Sequence, residues 1–141
     1  MHALCSFDFA IIRIVPRVER EEFVNAGVIV FCLEQKFLRA LVHLDSVRLL
    51  ALWPDLDVDL VAQHLEAFPK ICNGDVDAGP IARLSARERF HWLVAPRSTI
   101  LQTSPAHVGV CVAPTTPDAT LARIVDRVVR PPAPVGRAPA A

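Results

Sequence analysis

Hydrophobic and β-branched residues dominate three segments at the start of the chain and predict three consecutive strands. Residues 6–15 are mostly apolar, which favours a strand. Residues 23–33 form a nearly continuous apolar run, which indicates a strand covered on both faces in the middle of a sheet. Within this run, Gly27 indicates a bulge or a close approach of backbones. Residues 36–44 return as a third strand after a short turn, so the second and third strands are predicted to form a hairpin.

The pattern then changes to the three- and four-residue spacing of helices. Residues 45–53 begin with a capping aspartate and stop before a proline, as a short helix does. Apolar residues at helical spacing over 58–72 predict a longer helix, which Pro69 is expected to kink or end. A third helix, capped by Ser85, is predicted through about residue 94.

The last third of the chain predicts two more strands and a final helix. Residues 100–103 and 108–112 are short strand candidates, expected to lie antiparallel beside the first three. Thr116 and Pro117 supply an N-cap and a first-turn proline for the last helix. The order of elements predicts an α+β fold, with a largely antiparallel sheet of about five strands and helices packed on one side.

Chain length favours one domain. The chain has 141 residues, which is within the usual range for a single core. We expect a single α+β domain over residues 1–130. Residues 131–141 contain only Pro, Ala, Gly, Val and Arg, so this segment is predicted to be a disordered tail.

Several classes of protein are disfavoured by composition. The apolar runs are too short for a membrane helix, which needs about 18 residues or more. The first ten residues include Asp8 and lack the pattern of a signal peptide, so we expect a cytoplasmic protein. Formal net charge is zero, with 15 basic and 15 acidic residues, and tyrosine is absent, so nucleic-acid binding is not favoured. The sequence leaves the oligomeric state open.

No metal site or cofactor is predicted. The cysteines lie far apart without a Cys-X-X-Cys pair, and they are interpreted as small buried hydrophobic residues rather than redox or metal sites. The histidines are equally scattered and lack the spacing of zinc ligands. The residues concerned are Cys5, Cys32, Cys72, Cys111, His43, His64, His91 and His107.

The candidate chemistry is a set of polar residues near the ends of predicted strands. Glu21, Glu22 and Asn25 can form a cluster beside Arg13 or Arg97, with bidentate pairing of carboxylate and guanidinium groups. A purely structural ion pair explains the same pattern. The candidate binding site consists of Arg13, Glu22, Asn25, Arg97, Ser98 and Gln102.

A second interpretation concerns the segment that follows the third helix. Arg97 and Ser98 come directly after Pro96, and with Thr99 and Gln102 they can bind an anion such as a phosphate or a carboxylate. No glycine-rich phosphate loop accompanies them. Simple termination of the helix is the alternative.

Conspicuous motifs in the chain resemble those of a known family. The matching residues are Arg13, Pro16, Glu22, Phe23, Asn25, Gly27, Ala95, Pro96, Arg97, Ser98, Gln102 and Gly109. Their order resembles the bacterial family known as domain of unknown function number 3037, from about residue 7 to residue 130. The resemblance implies genes that often lie beside the gene of a HipA-like kinase, and therefore an accessory or partner role.

Two functions from different classes follow. The first is a non-catalytic accessory module that binds a protein partner, such as the HipA-like kinase implied by the resemblance. The alternative is a small enzyme or anionic-ligand-binding domain that uses the cluster of arginine, glutamate, asparagine and serine. No catalytic signature identifies a reaction, so the sequence leaves open whether the protein is an enzyme.

Overall fold

Five antiparallel strands form the sheet of this computed structural model, which describes residues 4–112 and 115–132. Strands β1 (Leu4–Ile14), β2 (Val24–Cys32) and β3 (Phe37–Val42) lie in the order β3, β2, β1. Strands β4 (Leu101–Thr103) and β5 (His107–Val112) both pair with β1, along its other edge. The five-stranded antiparallel sheet and the α+β class are therefore as the sequence predicts.

Within the described part of the chain, four α-helices accompany the sheet, and each begins at a residue whose side chain caps it. They are α1 (Ser46–Leu52), α2 (Val58–Asn73), α3 (Ala86–Val94) and α4 (Pro117–Val128). Asp45, Asp57, Ser85 and Thr116 accept hydrogen bonds from backbone N–H groups three residues later, at 3.1 to 3.2 Å. These caps satisfy N–H groups that have no partner inside the helix, which explains why the helices begin there.

Helix α2 does not end where its proline led us to expect. Pro69 lies inside the helix, which continues to Asn73 and ends at Gly74 with φ of 69°. The last turn after Pro69 buries Ile71 and Cys72. Proline removes one backbone hydrogen bond, and burial of these apolar side chains compensates for that loss.

The helices cover both faces of the sheet, whereas the sequence analysis expected them on one side. Ile29 and Phe31 of β2 face a hydrophobic cluster that includes residues of α1, α2 and α3. Val28 and Val30 face the opposite cluster, which α4 covers with Leu121, Val125 and Val129. The physical reason lies in β2 itself, because a strand that is apolar at nearly every position needs cover on both faces.

A β-bulge interrupts the pairing of β1 with β2 and sets which way the residues beyond it face. Ile12 lies opposite Gly27, whereas Arg13 lies opposite Asn25, so Ala26 is the extra residue. A Cβ atom on Gly27 would lie only 2.7 Å from the carbonyl oxygen of Leu41 in β3. Of the two alternatives predicted for Gly27, a bulge or a close backbone approach, the close approach occurs at Gly27 and the bulge lies at the adjacent Ala26.

The predicted tail falls mostly outside the described part of the chain. Residues 131 and 132 belong to no helix or strand, and residues 133–141 lie outside the described residues. Within 4–112 and 115–132, no helix combines the length and the apolar character needed to cross a bilayer.

Candidate functional site

Two adjoining cavities open beside the end of β1 that pairs with β4. The smaller cavity, of about 330 Å³, is lined by Arg13, Val15, Val18, Glu21, Phe23, Arg97, Ser98 and Gln102. The larger cavity, of about 790 Å³, lies between α2, α3 and β4 and shares Val18, Arg97 and Ser98 with the smaller one. Four of the six candidate residues therefore converge on one cavity, namely Arg13, Arg97, Ser98 and Gln102.

Arg13 reaches the smaller cavity from the sheet. It lies opposite Asn25 on β2 and opposite Gln102 on β4, which places it in the middle of three strands. Its guanidinium carbon lies 4.3 Å from the centroid of the Phe23 ring, a cation–π contact. Its Nε atom is buried without a hydrogen-bond partner among the described residues. The side chain is thus held by packing while hydrogen-bonding capacity remains unused.

Arg97 approaches the same cavity from the end of α3. Its Nη2 donates a hydrogen bond of 2.6 Å to the carbonyl oxygen of Trp92, and its guanidinium carbon lies 4.5 Å from the centroid of that ring. Burial lowers the pKa of Arg97 below its usual value, although an arginine stays charged at physiological pH. The charge is therefore partly desolvated, and its orientation is fixed by Trp92.

The polar neighbours of the arginines are also held by local contacts. Gln102 donates from Nε2 to the carbonyl oxygen of Thr99 at 2.8 Å, so its amide is fixed beside Arg13. Thr99 donates to the carbonyl oxygen of Leu101 at 2.8 Å. The segment from Arg97 to Gln102 is therefore organised by its own hydrogen bonds before any ligand binds.

One carboxylate lies among these residues. Glu21 lines the smaller cavity and has a left-handed backbone, with φ of 56°. Among the described residues it forms no salt bridge with Arg13 or Arg97. Among the described residues, two positive charges and one negative charge thus line the cavity, and neither arginine forms a salt bridge with a carboxylate.

The structure places the other two candidates elsewhere. Glu22 forms a salt bridge with Arg20 and lines a separate small cleft with Pro16 and Leu52. Asn25 donates from Nδ2 to the carbonyl oxygen of Val128 near the end of α4, at 3.0 Å. Glu22 is therefore half of an ion pair, as the structural alternative in the sequence analysis expects. Asn25 connects β2 to α4.

Several residues of this site were not identified from the sequence. Phe23 and Val18 line the arginine cavity, and Gln63 and His64 of α2 line the larger one. Phe23 belongs to the family motif, which was the available signal. Gln63 and His64 carry no such signal, because only packing of α2 against the sheet brings them beside Arg97.

Three of the four cysteines lie together in one buried cluster. Cys5 and Cys32 contact each other through their sulfur atoms, in the buried cluster under α4 that also contains Cys111. The contact with Cys32, together with burial and Cys111, raises the pKa of Cys5 well above its usual value. Such a thiol is protonated at neutral pH and is a poor nucleophile. Within the described ranges, no group of three or more metal-binding side chains is arranged around a common point.

Comparison with known families shows which family the chain belongs to. The family described as Protein of unknown function (DUF3037) matches residues 9–129, and the chain belongs to that family. No curated protein and no solved structure matches the chain. The resemblance drawn from the sequence motifs is confirmed.

Proposed function

Starting from this membership of the DUF3037 family, we propose that the domain is a binding module for an anionic group, held between Arg13 and Arg97. The observation that carries the proposal is that both guanidinium groups reach one cavity of about 330 Å³ without a salt bridge to any described carboxylate. Guanidinium groups favour carboxylate and phosphate ligands, which accept two parallel hydrogen bonds.

The state of the two arginines supports the same conclusion. Arg13 has a buried Nε atom without a partner, and Arg97 is partly desolvated. Burying charged groups without compensation is unfavourable, so an anion between them would recover part of that cost. Gln102 and Ser98 add amide and hydroxyl groups at the same cavity. We assign no reaction to this cavity.

Titration with inorganic phosphate, followed by NMR at low ionic strength, tests the proposal. Arg13→Gln and Arg97→Gln are each expected to weaken binding by about tenfold or more, since a charge-assisted hydrogen bond contributes about 1.5 to 3 kcal/mol. Glu21→Gln is expected to strengthen binding, because it removes the one negative charge at the cavity. Arg123→Gln, on the exposed surface of α4, is the matched control.

The proposal requires that Arg13→Gln and Arg97→Gln weaken phosphate binding more than Arg123→Gln does. If Arg13→Gln, Arg97→Gln and Arg123→Gln all change phosphate affinity by the same small factor, the anion is held by overall charge and the proposal fails. Circular dichroism establishes that each variant is folded before affinities are compared.

A second candidate function, binding of a protein partner, is favoured by the exposed side of β5. Among the described residues β5 pairs only with β1, and its Val108 and Val110 are 73% and 57% exposed. Edge strands with exposed apolar residues are suited to pairing with another chain. The family resemblance implies a HipA-like kinase as the partner. This function also assumes the bacterial origin and the cytoplasmic location expected from the sequence.

Co-purification with a HipA-like kinase tests the second candidate. The double variant Val108→Thr and Val110→Thr keeps β-branched side chains while removing apolar surface, so we expect it to lose the partner. Val47→Thr is the control, because Val47 is 79% exposed on α1, away from β5. Equal recovery of the kinase with all variants would place any interface elsewhere.

A further inference from the structure

The larger cavity exposes more apolar surface than an anion alone would use. Its volume of about 790 Å³ is within the range of small-molecule sites, which is about 300 to 1,000 Å³. Phe68 and Leu93, which belong to the core, form part of its lining. Trp92 and Ile100 also line it and remain 41% and 37% exposed. A ligand that covers these side chains would remove apolar surface from water, which stabilises binding.

The two cavities share three lining residues, and one of these is the charged Arg97. Val18, Arg97 and Ser98 line both of them. A ligand whose anionic group contacts Arg97 therefore has the apolar cavity directly beside that group. The Arg97 guanidinium stacks on Trp92, so the same aromatic side chain both orients the charge and forms part of the apolar wall.

We infer that the ligand is an amphipathic organic anion, a carboxylate or phosphate ester whose alkyl or aryl body fills the larger cavity. The inference rests on the proposed function, because the anionic end is the group assigned above to Arg13 and Arg97. It adds the chemical class of the remainder of the molecule.

The distribution of polar groups favours a small molecule over a peptide. Apart from Arg97, the polar side chains that line the larger cavity are all exposed. They are Gln63, His64, Ser98 and Thr99. The buried part of the lining is apolar, as in Phe68, Ile71, Leu93 and Leu101. A peptide backbone carries a donor and an acceptor at nearly every residue, and these would lack partners against such a lining. An alkyl or aryl body has no such requirement.

A series of alkyl carboxylates separates the contributions of charge and apolar surface. Acetate, hexanoate and decanoate, kept below micelle-forming concentrations, are titrated into the wild-type protein and compared with decanol. Affinity is expected to rise with chain length, by up to about fourfold for each methylene buried. Decanoate is expected to bind at least tenfold more tightly than decanol, because only the acid engages the arginines. In Arg97→Gln this preference for the acid should shrink.

Filling the larger cavity provides an independent check. Ala67 of α2 lines that cavity but not the smaller one, so Ala67→Phe should reduce the gain from hexanoate to decanoate while leaving inorganic phosphate binding unchanged. Ala122→Phe, at an exposed position of α4, is the control for the added aromatic ring. Ala67→Leu replaces Ala67→Phe if the larger substitution prevents folding.

Failure of this inference can be distinguished from failure of the proposed function. If phosphate binding depends on Arg13 and Arg97 but decanoate binds no more tightly than acetate, the apolar body is wrong and the anion site stands. If decanol binds as tightly as decanoate while phosphate binding still depends on Arg13 and Arg97, the two cavities do not bind one amphipathic anion, so this inference fails and the anion site stands. Absence of binding across the whole series also overturns the inference.

Discussion

The side-chain Nδ2 atom of Asn25 donates a hydrogen bond of 3.0 Å to the carbonyl oxygen of Val128. This contact joins the start of β2 to the end of α4, and it satisfies a carbonyl group that has no partner within the helix. The bulge at Ala26 leaves Asn25 on the face of the sheet that α4 covers. A polar residue of the family motif thus serves to dock the last helix.

Asn25→Ala should lower the free energy of unfolding by about 1 kcal/mol, because one partly buried hydrogen bond is lost. Urea denaturation measures the change. Asn73→Ala is the control, since Asn73 is exposed and forms no side-chain hydrogen bond among the described residues. Phosphate affinity should be unaffected by Asn25→Ala. A loss of phosphate binding without a loss of stability would return Asn25 to the binding site.

Gly109→Ala should destabilise the protein, because the added methyl group would overlap the ring of Phe7. Gly109 pairs with Phe7 across β5 and β1, and a Cβ atom there would lie 2.3 Å from the Phe7 ring. We expect a loss of about 1 to 3 kcal/mol, typical of overpacking. Because all the close contacts are with Phe7, the double variant with Phe7→Leu should lose less than the sum of the two single losses. Additive losses would show that the ring is not the cause.

Arg89→Met should destabilise the end of α2. The Nη1 atom of Arg89 donates to the carbonyl oxygens of Ile71 and Cys72, at 2.9 and 2.8 Å. Hydrogen bonds from a charged group contribute about 1.5 to 3 kcal/mol, so a loss of that order is expected in urea denaturation. Arg87→Met is the matched control, because Arg87 is exposed on the same helix. Equal losses for the two variants would contradict this role of Arg89.

Stability should fall as pH rises above about 9, because of Cys72. Burial raises the pKa of this thiol from 9.0 to about 12, although the nearby charge of Arg89 opposes the shift. Between these values the folded protein keeps a proton that the unfolded chain releases, so the unfolded state is favoured by up to about 1.4 kcal/mol per pH unit. Below pH 9 both states are protonated and this dependence disappears.

Comparison of wild type with Cys72→Ala isolates the contribution of that thiol. The free energy of unfolding of both proteins is measured in urea at pH 8 and pH 10.5. Between these two pH values, the wild type should lose more stability than Cys72→Ala does. Parallel pH profiles for the two proteins would show that Cys72 ionises equally in both states.

Most of the elements could be predicted because their signals are local. Ser85 and Thr116 mark helix starts through the hydrogen bonds that their own side chains accept, at 3.2 Å each. Pro69 was predicted to kink or end α2, and the helix does not end there because distant core residues stabilise the helix around the proline. The side of the sheet chosen by α4 also escaped prediction, because periodicity identifies an apolar face but not its partner.

The candidate site was predicted in part for the same reason. Arg97 and Ser98 are adjacent in sequence, so one segment brings both to the cavity. Arg13 and Gln102 meet only because β4 pairs with β1 in a register that places them opposite each other. Glu22 was expected beside them, but it forms a salt bridge with Arg20, which is close to it in sequence.

The sequence by itself determined the α+β class, the five strands, the capped starts of α1, α3 and α4, and membership of the DUF3037 family. These follow from side-chain periodicity, capping and motif order, which act over a few residues. Tertiary structure alone decided that two arginines share a cavity, that an apolar cavity adjoins it, and that α4 covers the second face of the sheet. Those features depend on register and packing between segments far apart in the chain, where local preferences carry no information.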